Sequence, residues 1–310
     1  MSTRTVLITG GSGMVGRNIQ EHPLVLDWDV IAPSHFSLDL TNAAAVGSYI
    51  EKTKPSLIIH CAGRVGGIQA NMANPIDFLQ TNVAIGNAVI MGAYTSGVPH
   101  LLNLASTCMY PRDASNPLTE DLILTGALEP TNEGYALAKI MATRLCQYIR
   151  KQAPKFQYKT LIPCNLYGRY DKFDPRHSHL IPAVMKKIYD AKVQGLDEVE
   201  IWGDGSARRE FMYAGDLAGA VVQAAESIEQ LPDLMNIGLG IDHTINDYYE
   251  AIANIIGWNG NFVHDLSKPV GMKRKLCSTA QQTAWGWSPK VTLEQGLKQT
   301  YDFFLEESQT

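Results

Sequence analysis

A glycine-rich turn close to the start of the chain constrains the fold more than any other feature. The apolar run Val6–Thr9 passes directly into Gly10-Gly11-Ser12-Gly13-Met14-Val15-Gly16, which has the spacing G-x-x-G-x-x-G. Glycine allows a tight turn and lets backbone N–H groups approach a pyrophosphate, while a helix that starts near Met14 directs its positive end at the negative charge. A glycine cluster after a strand can also be an ordinary turn. A dinucleotide site is therefore a prediction that other motifs must support.

The first half of the chain alternates short apolar runs with helical patterns. The predicted strands and helices are, in chain order, Val6–Thr9, Val30–Ala32, Ala43–Lys52, Leu57–His60, Ile76–Thr95, Leu101–Leu104, Tyr135–Arg150 and Lys159–Pro163. Such alternation predicts an α/β fold with a Rossmann-type doubly wound parallel sheet, in which ligands bind beyond the carboxyl ends of the strands. We expect residues 1–165 to form the dinucleotide-binding domain.

The second half of the chain has a less regular pattern. Its predicted elements are Leu180–Ala191, Glu200–Trp202, Asp216–Ser227, Leu234–Ile237, Asn246–Ile256 and Thr292–Leu305. We expect residues 166–310 to form mainly a smaller C-terminal α/β substrate lobe, interleaved with the last strands of the sheet. The polar segment Asp171–Ser178 has the composition of a substrate loop.

The composition argues against several function classes. The 310 residues carry a net charge of −5 with dispersed basic residues, so neither a nucleic-acid surface nor a basic membrane-binding helix is predicted. No apolar run is long enough to span a bilayer and no signal peptide precedes the first strand, so a cytoplasmic location is expected. The five cysteines lack metal-ligand spacing, which predicts reduced thiols and no metal site. A packed apolar side chain is the alternative for each of them.

Three polar residues downstream support a catalytic site. Tyr135 and Lys139 are four positions apart on a predicted helix, so they project from the same face. The ammonium of Lys139 would favour the phenolate of Tyr135 and lower its pKa, as a catalytic acid or base requires. Ser106 follows the strand Leu101–Leu104 and could donate a hydrogen bond to a substrate oxygen. Such Y-x-x-x-K pairs also arise by chance, but together with Ser106 and the glycine loop they predict reduction of a carbonyl by hydride.

The segment after the second predicted strand bears on the choice of cofactor. Rossmann proteins that select NAD place an acidic residue here for the ribose hydroxyls, whereas this chain reads Ala32-Pro33-Ser34-His35-Phe36. We therefore expect NADP(H) and a preference for NADPH, with Ser34, His35 and Arg17 as candidates for the 2′-phosphate. Asp39 could hydrogen-bond the adenine, or it could instead stabilise the start of the following helix.

Longer motifs across the chain resemble one family. They are Val65-Gly66-Gly67-Ile68-Gln69-Ala70-Asn71, Ser106-Thr107-Cys108-Met109-Tyr110-Pro111, Leu128-Glu129-Pro130-Thr131-Asn132-Glu133, Asn165-Leu166-Tyr167-Gly168, Ser178-His179-Leu180-Ile181-Pro182, Trp202-Gly203-Asp204-Gly205 and Arg209-Glu210-Phe211. This set is similar to that of the GDP-L-fucose synthases, which are extended short-chain dehydrogenases/reductases. The resemblance covers nearly the whole chain. It implies a homodimer that epimerises GDP-4-keto-6-deoxy-mannose at C3 and C5 and then reduces C4 with NADPH.

The resemblance also assigns roles to residues. It implies a reductase triad of Ser106, Tyr135 and Lys139, with Cys108 and His179 as the epimerisation base and acid. Ser106 and Cys108 are two positions apart on a predicted extended segment, so their side chains should face the same way. The implied NADP(H) site comprises Gly10, Ser12, Gly13, Met14, Val15, Gly16, His35, Asp39, Leu40, Ala62, Tyr135, Lys139, Pro163, Asn165 and Leu166. The implied substrate site comprises Arg64, Val65, Gly66, Thr107, Asn165, His179, Lys187, Trp202, Arg209 and Lys268.

Each of these residues also has a structural interpretation. His179 could be a solvated surface histidine, Lys187 a solvated helix charge, Arg209 part of a surface ion pair and Trp202 a core residue. The chain departs from the family pattern at Arg64, where a lysine is frequent. It departs again at Ser12 and His35, which stand where the family has arginines for the 2′-phosphate.

Several functional alternatives stay open. A GDP-colitose synthase, a GDP-deoxy-heptose C5-epimerase/C4-reductase or a simple GDP-4-keto-sugar reductase would use the same catalytic groups. A sugar-nucleotide dehydratase would carry an Asp-Glu pair after the catalytic serine or threonine, whereas this chain reads Thr107-Cys108-Met109. A non-catalytic nucleotide sensor would have no need of Tyr135 and Lys139 together.

Overall fold

The computed structural model describes residues 4–174, 178–268 and 270–308. The strands are β1 (Arg4–Thr9), β2 (Trp28–Ile31), β3 (Leu57–His60), β4 (His100–Leu104), β5 (Gln157–Pro163), β6 (Asn165–Tyr167), β7 (Glu198–Trp202), β8 (Arg208–Arg209), β9 (Phe211–Tyr213), β10 (Leu234–Ile237), β11 (His243–Thr244), β12 (Asn261–Asp265) and β13 (Arg274–Lys275). The α-helices are α1 (Met14–Gln20), α2 (Ala43–Thr53), α3 (Ile68–Ala73), α4 (Pro75–Thr95), α5 (Glu133–Gln152), α6 (Leu180–Gln194), α7 (Ala214–Glu226), α8 (Ile245–Ile256), α9 (Ala280–Ala284) and α10 (Leu293–Ser308).

Six parallel strands form the central sheet in the order β10-β5-β4-β3-β1-β2. The chain adds β2 on one side of β1 and then crosses back to add β3 on the other side. The strand order therefore reverses between β1 and β3, where Gly10 and Cys61 follow the two carboxyl ends. Ligands of open α/β sheets bind in the crevice at such a switch point.

Helices cover both faces of this sheet. Val6 and Ile8 of β1 pack in a layer with Ile19 of α1 and Leu217 of α7. Leu7, which points the other way, packs in a layer that α2, α4 and α5 provide. Because both faces of β1 are buried, its sequence is apolar throughout rather than alternating.

A second core lies in the C-terminal half of the chain. Helices α6, α8 and α10 pack with β7 and β9 around side chains that include Ile188, Tyr248 and Phe304. The short strand β6 follows β5 and pairs with β9, after which α7 and β10 return to the central sheet. The second half therefore contributes both its own core and the sixth strand of the main sheet.

The Rossmann-type α/β fold predicted from the sequence is confirmed. All predicted strands and helices are present with ends displaced by at most three residues, and the predicted strand Leu234–Ile237 is β10. The division of the chain near residue 165 stays a prediction. The predicted loop Asp171–Ser178 lies partly outside the described residues. Within the described ranges, no helix is both long and apolar enough to cross a membrane.

Candidate active site

A cleft of about 1480 Å³ opens at the carboxyl ends of the central strands. Its walls include the turns after β1, β3 and β4, the start of α5, and segments of the second core. All fifteen residues of the NADP(H) site implied by the resemblance line this cleft, and so do the five predicted catalytic residues. Residues far apart in the sequence are therefore brought to one cavity.

The glycine-rich turn forms one wall of the cleft with its backbone. Gly10 has a φ of +75°, and a Cβ there would lie 2.8 Å from the backbone of Ala62 after β3. A Cβ at Gly16 would overlap the carbonyl oxygen of Gly10. At Gly13, which precedes α1, a Cβ would have only that same oxygen nearby, at 3.4 Å. Gly10 and Gly16 thus allow neighbouring backbone to pack closely, whereas Gly13 has open space beside it.

The turn after β2 lines the cleft near the glycine loop. His35 is exposed, and Asp39 accepts hydrogen bonds from the N–H and the hydroxyl of Thr41 at 2.9 and 2.7 Å. These bonds, the backbone one first, hold the pKa of Asp39 below its usual value. Asn42 caps α2 with its own side chain, so Asp39 is not needed for that role.

Ser106, Tyr135 and Lys139 lie together in the cleft. Tyr135 and Ser106 share a side-chain hydrogen bond. The ammonium of Lys139 donates to the carbonyl oxygen of Leu104 at 2.8 Å and lies 5.8 Å from the ring centroid of Tyr135. Burial lowers the pKa of Lys139 to about 8.

The predicted lowering of the Tyr135 pKa is wrong for this structure. Burial raises the pKa of Tyr135, the nearby Cys108 raises it further, and only the hydrogen bond with Ser106 opposes them. The positive charge of Lys139 does not outweigh the loss of solvent around the phenol. Tyr135 therefore stays protonated at neutral pH.

The predicted extended segment through Ser106 and Cys108 is also wrong. Ser106 itself is extended, but it is the N-cap of a 3-10 turn over Thr107–Met109, and its hydroxyl accepts the N–H of Cys108 at 3.3 Å. A serine that accepts such a free N–H favours a turn, which apolar alternation in the sequence does not reveal. Ser106 and Cys108 share the cleft without sharing a strand face.

The thiol of Cys108 has two polar neighbours that the sequence analysis did not single out. Its Sγ accepts a hydrogen bond from the side-chain amide of Asn132 at 3.3 Å and lies 3.7 Å from the ammonium of Lys275. Asn132 directly precedes α5, whereas Lys275 lies in β13. All five cysteines of the chain are free thiols.

His179 directly precedes α6 and lines the same cleft. Its side chain is accessible to solvent in the open cleft, yet protein surrounds it closely enough that burial lowers its pKa, helped by the charges of Lys172 and Lys275. A Cβ at Gly67 would lie 2.8 Å from the carbonyl oxygen of Ser178, so the turn after β3 touches this segment. His179 therefore opens into the cleft rather than onto the outer surface.

Two buried asparagines hold the turn after β3, and sequence reasoning assigned them no role. The Asn82 side chain on α4 accepts the N–H of Arg64 at 2.9 Å and donates to its carbonyl oxygen at 3.0 Å. Asn71 donates to the carbonyl oxygens of Gly66 and Gly67 at 2.9 and 3.0 Å. A buried asparagine in an otherwise apolar helix is the signal that could have identified Asn82.

Cationic and aromatic side chains line the part of the cleft that belongs to the second core. Lys187 donates to the backbone carbonyl oxygen of Glu200 at 2.5 Å, and the indole N–H of Trp202 donates to the Glu200 carboxylate at 2.9 Å. Arg209 donates to the carbonyl oxygen of Val270 at 3.0 Å. Burial lowers the pKa of both Lys187 and Arg209. This end of the cleft therefore suits an anionic ligand.

Four predicted site residues do not line the cleft, and one of them is the exposed Ser34 in the turn after β2. Thr107 is buried within its turn and does not line the cleft. Lys268 also lies outside the lining, with its ammonium 5.7 Å from the ring centroid of Trp202. Arg17 does not line the cleft: its guanidinium lies 4.8 Å from the ring centroid of Tyr170, and that ring packs against Phe303 of α10.

Comparison with known proteins agrees with the fold. The model of the NAD dependent epimerase/dehydratase family matches residues 6–238. The chain belongs to this family. It is 52% identical to a GDP-L-colitose synthase of Yersinia pseudotuberculosis, over 97% of this chain and 98% of the relative. It is 50% identical to a GDP-L-fucose synthase of Azorhizobium caulinodans, over 97% of this chain and 96% of that relative.

A solved structure extends this family relationship. A GDP-mannoheptose C4 reductase from Campylobacter jejuni with NADP bound has a TM-score of 0.89 and 29% identity, over 98% of this chain and 99% of that one. These relatives confirm the predicted resemblance to the GDP-L-fucose synthases. They also confirm that the chain is similar to enzymes rather than to a binding module.

Proposed function

We propose that this chain acts on a sugar nucleotide of the GDP-4-keto-6-deoxy-mannose type. It epimerises the sugar and then reduces C4 with NADPH, giving GDP-L-fucose or a close relative. One observation carries the proposal: a single cleft holds Ser106, Tyr135 and Lys139 beside Cys108 and His179. Reduction of a carbonyl needs a proton donor and a group that polarises the oxygen. Proton exchange at the neighbouring carbons needs further acid and base groups, which the last two residues can supply.

The cleft fits a dinucleotide. The open space beside Gly13 lets a phosphate approach the backbone at the start of α1. The exposed turn after β2 contains no acidic residue before Asp39, so it leaves room for a 2′-phosphate. Bound NADPH would supply the hydride for C4. The residues that would hold it are those of the implied site: Gly10, Ser12, Gly13, Met14, Val15, Gly16, His35, Asp39, Leu40, Ala62, Tyr135, Lys139, Pro163, Asn165 and Leu166.

The reductive half of the reaction follows from the three residues on and beside α5. Because burial keeps Tyr135 protonated, its phenol can donate a proton to the carbonyl oxygen as the carbon is reduced. Ser106 would hold that oxygen by a hydrogen bond. Lys139 is protonated below about pH 8, and its charge would stabilise the phenolate left behind.

The epimerising half requires protons to leave and return at carbons next to the ketone. The ketone acidifies these C–H bonds, since the electrons of the broken bond can move onto its oxygen as an enolate. We assign proton removal to the sulfur of Cys108. The lowered pKa of His179 makes its imidazole neutral at pH 7, with one N–H to donate and one lone pair to accept. His179 would return a proton on the opposite face of the ring.

The nucleotide end of the substrate would lie along the second core. Lys187 and Arg209 place two positive charges in the cleft, which suits a diphosphate, and Trp202 adds an aromatic face. Arg64, Val65, Gly66 and Asn165 would contact the sugar side. The same groups would serve colitose or heptose substrates, and the GDP-L-colitose synthase relative at 52% identity makes a C5-epimerised colitose the second candidate.

A panel of GDP-4-keto-sugars tests this function. The purified protein is incubated with each sugar and NADPH, oxidation of NADPH is followed optically, and products are identified by mass spectrometry and NMR. We expect turnover of the 6-deoxy-mannose derivative with inversion at C3 and C5. Inversion at C5 alone on a 3-deoxy sugar would favour the colitose alternative, and no turnover of any member would contradict the proposal.

We also propose a cytoplasmic homodimer. Helices α4 and α5 lie against each other, and Ile76 on α4 and Leu137 and Tyr148 on α5 are exposed. Exposed apolar side chains on two neighbouring helices are consistent with a subunit interface. Light scattering coupled to size exclusion should give twice the chain mass, and Tyr148→Glu should reduce it toward the mass of one chain.

A further inference from the structure

Asn132 occupies a position where its side chain would ordinarily stabilise a helix. It is the N-cap of α5, and asparagine is among the preferred residues there because its side chain accepts a free N–H. No such bond is present at α5. Asn42, by contrast, caps α2 by accepting the N–H of Ala45 at 3.1 Å. The same residue type at the same helix position is therefore used differently in the two helices.

The Asn132 side chain contacts the catalytic cleft instead. Its Nδ2 donates to the Sγ of Cys108 at 3.3 Å, and its Oδ1 is buried without a hydrogen-bond partner among the described residues. An absent cap and an unpaired buried oxygen both destabilise the folded chain. A local arrangement that is unfavourable on both counts is typical of a functional site.

Both polar neighbours of the Cys108 sulfur are hydrogen-bond donors. Asn132 presents an N–H and Lys275 presents an ammonium 3.7 Å away, while no described residue accepts a proton from the sulfur. The sulfur is thus arranged as an acceptor. Donors of this kind fix the direction of the lone pairs on the sulfur.

We propose that Asn132, assisted by Lys275, is a positioning residue that holds the sulfur of Cys108 ready to accept a proton from the sugar. This inference rests on the proposed function. In the step concerned, which starts from the deprotonated sulfur, the C–H bond beside the ketone breaks and an S–H bond forms. The electron pair of the C–H bond becomes the C=C bond of an enolate, the pair of the C=O π bond moves onto the ketone oxygen, and no oxidant or reductant takes part.

Deuterium exchange separates this role from helix capping. Asn132→Ala and Asn42→Ala are incubated with GDP-4-keto-6-deoxy-mannose in deuterated water, and incorporated deuterium is counted by mass spectrometry. Asn132→Ala should slow incorporation at saturating substrate at least about tenfold while its melting temperature stays within about 1 °C of the parent. Asn42→Ala should lower the melting temperature by about 2 °C with unchanged exchange. Exchange by Asn132→Ala within twofold of the parent would overturn the proposal.

Thiol alkylation gives a readout that does not need the sugar. Iodoacetamide labelling of Cys108 is followed by peptide mass mapping at pH 7, which also separates it from Cys61. Asn132→Asp places a carboxylate beside the sulfur and should slow labelling about tenfold, whereas Asn42→Asp should have no effect. Equal labelling of Asn132→Asp and the parent would refute the contact. If the parent exchanges no deuterium with any sugar but labelling still responds to Asn132→Asp, the proposed function fails and the positioning role stands.

Discussion

The two ends of the cleft are built in different ways. The end at the glycine loop is formed by backbone, from one continuous turn and its neighbour after β3, where Gly10 and Ala62 are in contact. The end at Cys108 is formed by side chains from separate elements: a 3-10 turn, the start of α5, the start of α6 and β13. A backbone site is specified locally and tolerates change in the rest of the chain. A site of converging side chains depends on how both cores pack.

The largest expected effect comes from a substitution that changes only the side-chain end of the cleft. Cys108→Ser replaces the sulfur by a hydroxyl that does not readily lose its proton, so deuterium incorporation beside the ketone should fall below detection. NADPH affinity should be unchanged, because the glycine loop is untouched. Cys146→Ser, at a buried thiol remote from the cleft, is the matched control. If Cys108→Ser exchanges as fast as the parent, Cys108 is only a packed thiol and a simple reductase becomes the better interpretation.

The second-largest effect is expected at Tyr135, which lies between the glycine-loop end and the Cys108 end of the cleft. Tyr135→Phe removes the proton donor and should slow NADPH oxidation by about two orders of magnitude or more at saturating substrate. Deuterium exchange should remain measurable, since the Cys108 sulfur is still present. Stopped-flow absorbance and mass spectrometry on the same samples compare the two steps. Near-normal NADPH oxidation would contradict the role of Tyr135.

A third prediction concerns the buried cation between the two ends. Because the folded pKa of Lys139 is about 8 against an ordinary 10.5, the unfolded chain binds an extra proton between these values, so the folded state gains stability as pH rises through this window. The penalty below pH 8 amounts to about 3 kcal/mol. Lys139→Met lacks this titrating group and should not gain stability in the same way. Between pH 7 and pH 10.5 its free energy of unfolding should therefore fall relative to that of the parent, by up to about 3 kcal/mol. Denaturant titrations of the cofactor-free proteins measure it, and a flat difference would show that Lys139 titrates normally.

The smallest expected effect lies at the exposed edge of the backbone end. His35→Ala should reduce the ratio of NADPH to NADH affinity about two- to fivefold, because a solvent-exposed contact with a phosphate contributes little. Calorimetric titration of both cofactors gives the ratio, with the neighbouring exposed Ser37→Ala as control. An unchanged ratio would place discrimination elsewhere, and tighter binding of NADH than NADPH by the parent would refute the predicted preference.

The sequence predicted the backbone end of the cleft better than the side-chain end. Glycine spacing and apolar runs are local signals, so the turn around Gly13 and the strands beside it agree with prediction. The turn at Thr107–Met109 depends on a hydrogen bond from Cys108 to Ser106, which no periodicity encodes. The pKa of Tyr135 depends on its burial in the folded chain and on the nearby Cys108 and Ser106, which the four-residue spacing to Lys139 does not reveal. Asn132 and Lys275 meet one sulfur only because α5 and β13 converge in the folded chain.

The sixth strand of the central sheet has a consequence for how such a chain can be divided or recombined. Strand β10 comes from the second half and covers the edge of β5, whose residues Tyr158 and Leu161 are fully buried. A fragment that ended before Leu234 would leave that edge with unpaired backbone groups, which is a template for aggregation. New sugar specificities are therefore expected to arise by substitution within the second half, not by exchange of that half as a detachable module.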